Sequence, residues 1–406
     1  MTSTVTNSQQ TSSRQHGIDV ASVLARAETL QPLIREHAAR GERDRRLPEE
    51  SLKALIDAGV FRLGQPRRYG GAEADIRSTI EASAIVGEAD GSTAWLVAIH
   101  NLVAFLVGLF GEEAQNDVWA DNPDALVGGV FAPTATSVRG KGGHVITGEW
   151  HFNSGAWDAD WFTLGVPLTD ESGRVVDQGI ALVPRPEIRH KENWFVAGMS
   201  ATGSNCVIAE RVFVPDHRML SVARVFGPGG NPEFRDETLY RAAMVPMGIL
   251  SICGPQLGMG RAALKLVMEK AHVKPLSYTN FDTQAASAGF QIEVAEAAIL
   301  IDTAHLHAWR AAADLQDSVD NDVTLDLVAR TRIRADCAHA IRSVTKAIDI
   351  LLTAHGASSF ADSNPLQRLW RDSAVGARHA WAVPAVAVES YGKALLGREE
   401  QITAFL

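Results

Sequence analysis

The sequence predicts an α+β protein in which helices come first, strands follow, and helices return. Helical periodicity covers the first third of the 406 residues, period-two alternation takes over near Val130, and helical periodicity resumes at Pro255. This segregated order differs from the regular alternation of a doubly wound sheet. We predict, in chain order, a disordered tail (1–16), an N-terminal helical domain (17–121), a central β domain (122–232) and a C-terminal helical bundle domain (233–406).

The N-terminal domain contains a clear helix start. Pro48, followed by two glutamates, opens a helix that presents Leu52, Leu55 and Ile56 on one face and stops at Gly59. Such a one-sided apolar stripe predicts a helix that packs on a core.

Residues 75–121 predict two further helices, and the second is very apolar. The stretch Ser92–Phe110 has no Asp, Glu, Lys or Arg. His100 and Asn101 lie at its middle, where a bilayer would penalise them, and no basic flank marks a cytoplasmic side. We therefore predict a buried core helix and no membrane association.

The segment Val130–Pro215 predicts a compact, barrel-like β domain, because glycine and proline recur at strand-and-turn spacing. Phe162, Leu164 and Val166 alternate with Thr163, Gly165 and Pro167, which is the period of a strand. The segment 143–161 predicts a strand, a tight turn with a lone serine, and a second strand. A turn of this kind brings backbone and a hydroxyl close to a flat ring.

The C-terminal half predicts long alanine-rich helices. Segments 284–317, 323–356 and 365–397 predict three of them. Within the last, Arg368, Arg371, Asp372 and His379 have helical spacings, so that several should share a face. The segment Gly227–Pro232 predicts a loop near the domain boundary.

Composition and motifs exclude several classes. The formal charge is −10 and no long basic run occurs, which gives nucleic-acid binding little support. The three cysteines are widely spaced, and residues 1–16 lack a signal-peptide core, so we expect a cytoplasmic protein. No Gly-x-Gly-x-x-Gly that opens a helix, Walker lysine, Gly-x-Ser-x-Gly, His-Glu-x-x-His or Cys-x-x-Cys is present; we predict neither a common nucleotide site nor a metal site.

Three segments remain as candidates for chemistry: Asn153–Gly155, Gly198–Pro215 and Asn364–His379. Read from the residues alone, each has an ordinary interpretation. Ser154 is then a turn residue, the second segment a hairpin, and His379 a surface or packed histidine.

Together with other segments they resemble a known family. Residues 47–71, the pair Ala132-Pro133, and the blocks 146–161 and 198–215 resemble, in the right order, the helix, strand end, strand pair and turn of acyl-CoA dehydrogenases. The resemblance extends over about residues 20–397. It implies the acyl-CoA dehydrogenase-like fold, with a flavin at the turn 153–155.

The C-terminal segment separates two branches of this family. Dehydrogenases commonly keep a glutamate shortly after an Arg-Asp pair, as the base that takes a proton from a thioester. Here the pair is Arg371-Asp372, no acidic residue follows until Glu389, and His379 lies where the carboxylate is expected.

A closer resemblance is to two-component flavin-dependent monooxygenases, which include secosteroid-phenol, 4-hydroxyphenylacetate and dibenzothiophene enzymes. The similar stretches are 91–95 with His100-Asn101, 153–155, 202–205, and 364–372 with His379. This resemblance implies an oxygenase component that takes FMNH2 or FADH2 from a separate NAD(P)H:flavin reductase, by diffusion. With O2 it would form a C4a-hydroperoxide and hydroxylate an aromatic or polycyclic small molecule.

The resemblance also implies residue roles. Ser154 matches a hydroxyl at flavin N5, which slows peroxide loss in a site that excludes water. His379, with a pKa near neutrality, would deprotonate a phenol or steady the peroxide, and His100 would face substrate. The implied cofactor-binding residues are Trp95, Ala132, Pro133, Asn153, Ser154, Thr202, Ser204, Lys274, Tyr278 and Gly356.

The resemblance leaves the phosphate end and some alternatives open. Lys274 stands where relatives use an arginine, in a segment that also offers Tyr278. The loop Gly356–Ser359 resembles one that reaches a neighbour's flavin, which implies a dimer-of-dimers homotetramer. The alternatives are an acyl-CoA dehydrogenase with FAD, oxygenation of nitrogen or sulfur, and a non-catalytic flavin-binding member.

Overall fold

The structure, a computed structural model, describes residues 17–227, 231, 233–403 and 405–406. The predicted tail 1–16 and most of the predicted loop 227–232 lie outside this range. The α-helices are α1 Val20–Asp44, α2 Glu49–Asp57, α3 Ile76–Gly87, α4 Gly91–Val107, α5 Glu112–Trp119, α6 Val222–Phe226, α7 Met244–Ser251, α8 Cys253–Ala271, α9 Ala288–Asp320, α10 Leu327–His355, α11 Pro365–Gly376 and α12 Pro384–Leu395. The strands are β1 Val127–Val130, β2 Ala135–Gly140, β3 Gly143–Asn153, β4 Trp161–Thr169, β5 Val175–Pro184, β6 Arg189–Lys191, β7 Asn205–Pro215 and β8 Met219–Ser221.

The apolar helix α4 lies in the protein core, as predicted. Its N-cap Asp90 accepts from Thr93 N at 2.8 Å, and nearly every α4 residue is buried. Asn101 is well satisfied there: its amide oxygen accepts from Leu63 N and its amide nitrogen donates to Val60 O. No helix among the described residues is long and apolar enough to cross a membrane. Residues 75–121 form three helices rather than two, because α5 follows α4.

Two four-stranded sheets form the central region. Their strand orders are β1-β4-β5-β8 and β2-β3-β7-β6, and β1 pairs with β4 in parallel. Trp150, Phe162, Leu164 and Val166 are fully buried between the sheets. The Trp150 indole donates to Gly165 O at 2.8 Å, so its polar atom is satisfied inside the apolar layer.

The long helices α9 and α10 pack along each other in the C-terminal region, with α8 and α12 against them. Small residues on α9 are buried in this bundle: Ala304, Ala308 and Ala311 are fully buried. Alanine lets helix axes approach closely, and it costs no side-chain entropy on burial.

The prediction of a third long helix over 365–397 is wrong, because the chain leaves helical geometry between α11 and α12. After Gly376 a short 3-10 turn covers Ala380–Ala382, and α12 begins at Pro384. A proline removes a helical N–H and disfavours helical geometry in the residue before it. His379 consequently lies in the break and does not share a helical face with the charged residues of α11.

Candidate active site

The site begins at the turn that follows β3. A β-bulge disrupts the pairing near the end of β3, and Phe152 there has φ of 64° with a side chain that is 72% exposed. Gly155 has φ of 72°, and a Cβ on it would lie 2.5 Å from His100 Nε2. The turn therefore requires glycine, and the residue two positions before Ser154 carries an exposed aromatic ring.

A chain of hydroxyl groups starts at this turn. The Trp95 indole N–H donates to Ser154 Oγ at 3.0 Å, and Ser154 Oγ lies 2.9 Å from Ser204 Oγ. Thr202 Oγ1 lies 2.7 Å from Ser204 Oγ and 2.7 Å from the Met199 carbonyl oxygen. The three hydroxyl residues, which we call the hydroxyl relay (Ser154, Ser204 and Thr202), are all buried. Four of the sequence-predicted cofactor residues are thus hydrogen-bonded in one row.

His379 lies on the other side of Trp95. The two ring centroids are 5.7 Å apart, and the Trp381 ring is 5.6 Å from His379. Trp381 also stacks on Phe131, with centroids 5.8 Å apart and planes within 11°. Trp381 packs against Gly248 of α7, where any Cβ would overlap its ring. Trp95 therefore connects Ser154 with His379, although the three residues are far apart in sequence.

Trp381 and Phe131 are parts of this site that sequence reasoning missed. Trp381 follows His379 by two residues, and Phe131 directly precedes the predicted pair Ala132-Pro133. Their positions next to predicted residues were the available signal. Their stacking across domains could not be read from either segment alone.

Burial lowers the pKa of His379 to about 4, below the near-neutral value expected from sequence. The imidazole is thus neutral at pH 7. Its Nδ1 accepts from the Trp381 backbone N–H at 3.3 Å, so in the neutral ring the proton belongs on Nε2. His379 accordingly offers a hydrogen-bond donor at Nε2.

His100 lies behind the turn, 2% exposed. Its Nδ1 is 2.9 Å from Val127 O, and since a carbonyl only accepts, Nδ1 carries the proton. Nε2 is then a bare acceptor, buried without a partner among the described residues and directed at Gly155. Burial lowers the pKa of His100 to about 4. The ring thus packs directly against the turn at Gly155, and its predicted position facing substrate stays a prediction.

Asn153 also lies on the protein side of the turn. Its side chain is fully buried, and neither its amide oxygen nor its amide nitrogen has a partner in the part of the chain that the structure describes. The oxygen lies close to Gly128 of β1, 2.8 Å from where a Cβ would be. Its predicted contact with a cofactor would thus have to come through its backbone or after a side-chain rotation.

Helix α11 contacts both Met199, where the row of hydrogen bonds ends, and the start of α4, which carries Trp95. Asp372 accepts from the Met199 backbone N–H at 2.5 Å, and Met199 has φ of 57°. Arg368 Nε lies 3.8 Å from Oδ1 of Asp90, the N-cap of α4. Burial, with the Asp90 charge nearby, raises the pKa of Asp372 to about 7. The charged residues of α11 therefore position Met199 and the start of the Trp95 helix.

Of the residues Lys274, Tyr278 and Gly356, which are predicted to bind the cofactor, the first and the last lie close together and Tyr278 does not. Lys274 Nζ donates to the His355 carbonyl and, at 2.6 Å, to Ser358 Oγ, so it lies at the end of α10 beside Gly356. Gly356 has φ of 85°, and a Cβ added to it would meet no described atom within 4 Å. Tyr278 is fully exposed, so its side chain points into solvent rather than toward the end of α10.

Ala132 and Pro133 lie in the connection between β1 and β2. The backbone of this connection passes directly over Gly165 of β4, where a Cβ would lie 2.9 Å from the Ala132 carbonyl carbon. Thr134 N donates to Ala132 O at 2.9 Å. The pair thus continues past Phe131, beside the aromatic cluster around Trp381.

One group of potential metal ligands occurs among the described residues, apart from this site. Atoms of Glu149, His151 and Cys206, on the neighbouring strands β3 and β7, lie within 4.8 Å of one another. Lys191 Nζ is 3.5 Å from Glu149 Oε2, and Cys206 is fully buried. The ammonium group already neutralises the carboxylate that a cation would need.

Family comparisons agree with the fold. Residues 24–122 match the family described as acyl-CoA dehydrogenase, N-terminal domain. Residues 250–384 match the family described as acyl-CoA dehydrogenase, C-terminal domain. Together the two matches cover more than half of the chain.

Individual relatives are more specific. The chain is 33% identical to the flavin-dependent monooxygenase oxygenase subunit HsaA of Mycobacterium tuberculosis over 383 residues, 92% of this chain and 95% of the relative. It is 30% identical to the oxygenase component of the FADH2-dependent resorcinol hydroxylase of a Rhizobium species, covering 90% and 92%. The solved structure of XiaF from Streptomyces sp. with FADH2 and glycerol superposes with a TM-score of 0.90 at 34% identity, over 95% of this chain and 98% of that one.

Proposed function

This chain belongs to the acyl-CoA dehydrogenase family and, within it, to the oxygenase components of flavin-dependent monooxygenases; on that basis we propose that Ser154, Trp95 and His379 form its oxygenation site. The observation that carries the proposal is the double contact of Trp95, hydrogen-bonded to Ser154 and packed on His379. The substrate class we propose is a phenol or other aromatic small molecule.

The residues at the turn fit a flavin. A flavin ring has flat apolar faces and a polar edge; the Ser154 hydroxyl offers a counterpart for the edge, and Phe152, two residues before it in the chain, carries an exposed aromatic ring. Ser154 uses its hydrogen bonds to Trp95 and Ser204, and one oxygen lone pair remains. When bound, reduced flavin supplies the electrons that activate O2, of which one oxygen atom goes to substrate and the other leaves as water.

His379 acts, in this proposal, as a hydrogen-bond donor to the substrate. Its neutral ring carries a proton on Nε2, since Nδ1 accepts from Trp381 N–H. A neutral donor can hold the oxygen of a substrate that binds as a phenolate, the form that attacks an electrophilic oxygen atom more readily, without adding a buried cation. Trp95, Trp381 and Phe131 exclude water around it, which protects an oxygenating flavin from loss of hydrogen peroxide.

The dehydrogenase alternative lacks a base in this region. The segment 365–397, all of which the structure describes, contains two acidic residues, Asp372 and Glu389. Asp372 is bound to the Met199 N–H, and Glu389 is exposed on α12. Neither is available beside Trp95 for abstraction of a proton from a thioester.

A homotetramer is the assembly we propose. Ile292, Ile299 and Leu306 are spaced by seven residues along α9, and their side chains are 68%, 66% and 71% exposed. An exposed apolar stripe at heptad spacing favours a helix–helix interface with another copy. We further propose a cytoplasmic enzyme that receives either FMNH2 or FADH2 by diffusion from a separate reductase.

The test mixes anaerobic protein and reduced FMN or FAD with O2 and a panel of phenols. Hydroxylated product should form, and Ser154→Ala should divert oxygen to hydrogen peroxide. His379→Ala should lower product formation about 10²-fold. Ser363→Ala and His272→Ala, both at exposed positions, are the matched controls.

Reoxidation at the rate of free flavin, with peroxide as the only product for every phenol, would contradict the proposal. Anaerobic bleaching of bound FAD by an acyl-CoA would instead support the dehydrogenase.

A further inference from the structure

The hydroxyl relay contains three close oxygen–oxygen contacts and three hydroxyl protons. The contacts are Ser154 to Ser204 at 2.9 Å, Ser204 to Thr202 at 2.7 Å, and Thr202 to the Met199 carbonyl at 2.7 Å. Two oxygen atoms at such distances repel each other unless a proton lies between them. Each contact therefore needs one of the three protons.

This requirement fixes the direction of every bond in the relay. A carbonyl has no proton, so Thr202 must donate to Met199. With the Thr202 proton used, Ser204 must donate to Thr202, and with the Ser204 proton used, Ser154 must donate to Ser204. Any other arrangement leaves one close contact without a proton.

The direction is consistent at the other end of the relay. The Trp95 indole is a donor only, and its N–H points at Ser154 Oγ from 3.0 Å. Ser154 consequently accepts from Trp95 and donates to Ser204. Toward any further partner it has one lone pair and no proton, so it can accept a hydrogen bond but cannot give one.

We propose that the hydroxyl relay makes this site selective for the reduced flavin, with Ser204 and Thr202 as positioning residues that hold the Ser154 proton away from the flavin. The proposal rests on the proposed function, in which flavin N5 meets Ser154. Reduced flavin has an N5–H that can donate to the free lone pair of Ser154. Oxidised flavin has only a lone pair at N5, which would face the Ser154 lone pair.

The bond directions determine which variants matter. Ser204→Ala removes the acceptor of the Ser154 proton, so Ser154 becomes free to donate to oxidised N5. Thr202→Val, which keeps the side-chain shape, frees the Ser204 proton to turn to Ser154 and so has the same consequence. Thr202→Ser keeps the hydroxyl and should keep the direction.

The experiment measures dissociation constants for oxidised and, anaerobically, reduced FMN and FAD, together with the midpoint potential of the bound flavin. Wild type and Thr202→Ser should prefer reduced flavin. In Ser204→Ala and Thr202→Val, the dissociation constant of oxidised flavin divided by that of reduced flavin should fall about tenfold, because the variants change one hydrogen bond at N5. Such a fall lowers the potential of the bound flavin by about 30 mV.

The outcomes separate this inference from the proposed function. If wild type prefers reduced flavin and both variants keep the wild-type ratio, even with weaker binding of both forms, the relay does not set the selectivity. If Thr202→Ser loses the preference as fully as Thr202→Val, the hydroxyl direction is not the cause. If wild type binds neither flavin form, the proposed function itself fails.

Discussion

His100 should make the stability of this protein depend on pH. The ring is 2% exposed, and burial lowers its pKa from 6.5 to about 4 in the folded state. Below pH 6.5, His100 is therefore protonated in the unfolded chain, whereas in the folded chain it stays neutral until the pH approaches 4. The neutral His100 ring contributes its full stabilisation above the unfolded pKa of 6.5. This contribution is lost as the pH falls toward the folded pKa of about 4.

The size of the effect follows from the two pKa values. Between pH 7 and pH 5 the unfolded histidine becomes almost fully protonated while the folded one stays mostly neutral. The resulting loss of unfolding free energy is about 2 kcal/mol. His100→Gln removes the titration and keeps an amide that can donate to Val127 O, as His100 Nδ1 does.

Urea unfolding at pH 7 and pH 5, at one protomer concentration, measures the effect as a difference of differences. The pH dependence of His100→Gln should be smaller than that of wild type by about 2 kcal/mol. Groups such as His379 and Asp372 titrate in both proteins and cancel in the comparison. His272→Gln, at an exposed position, should behave as wild type. Equal pH dependence in His100→Gln and wild type would refute the reasoning.

Four further predictions concern the site and the assembly. Asp372→Asn should remove a stabilisation that wild type gains as the pH falls from 7 to 5, because burial raises the pKa of Asp372 to about 7; urea unfolding at both pH values tests the sign. Trp381→Ala should raise the pKa of His379 from about 4 toward 6.5, since burial is its cause, as read by NMR titration. Lys274→Met should weaken binding of FMN and FAD but not of riboflavin, which has no phosphate; equal weakening of all three would argue for a structural role. Ile299→Asp should reduce the oligomer mass in sedimentation velocity, whereas Val323→Asp, an exposed apolar residue outside the stripe, should not.

The strand-turn-strand around Ser154 could be predicted from sequence because its signals are local. Period-two alternation marks both strands, and glycine marks the turn. The first strand ends at Asn153, where the pattern places the turn, but the second begins only at Trp161, so the connection is longer than the tight turn that the pattern predicts. Even the mixture of turn and hydroxyl residues before β7 was visible in the sequence.

The helix break at His379 was missed because alanine-rich sequence on both sides continues the helical pattern. Pro384 was the available contrary signal, since a proline disfavours helix in the residue before it. The stacking of Trp381 on Phe131 had no comparable signal. It depends on how two domains pack, which local periodicity does not encode.

The hydroxyl relay needed the strand register. Asn153 pairs with Asn205 across β3 and β7, which brings the residues next to them, Ser154 and Ser204, within 2.9 Å. Both serines could be named from the family resemblance, but their contact could not. Bond direction then followed only from the distances between the oxygen atoms.

The Arg-Asp stretch of α11 holds the turn at Ser154 through contacts that do not involve His379. Asp372 holds Met199, the acceptor at the end of the hydroxyl relay, and Arg368 lies beside Asp90, which caps the helix that carries Trp95. One helix thus fixes both ends of the row of hydrogen bonds at Ser154. Position 379 lies beyond that helix, in the break, so a change of its side chain leaves the contacts that hold the turn in place.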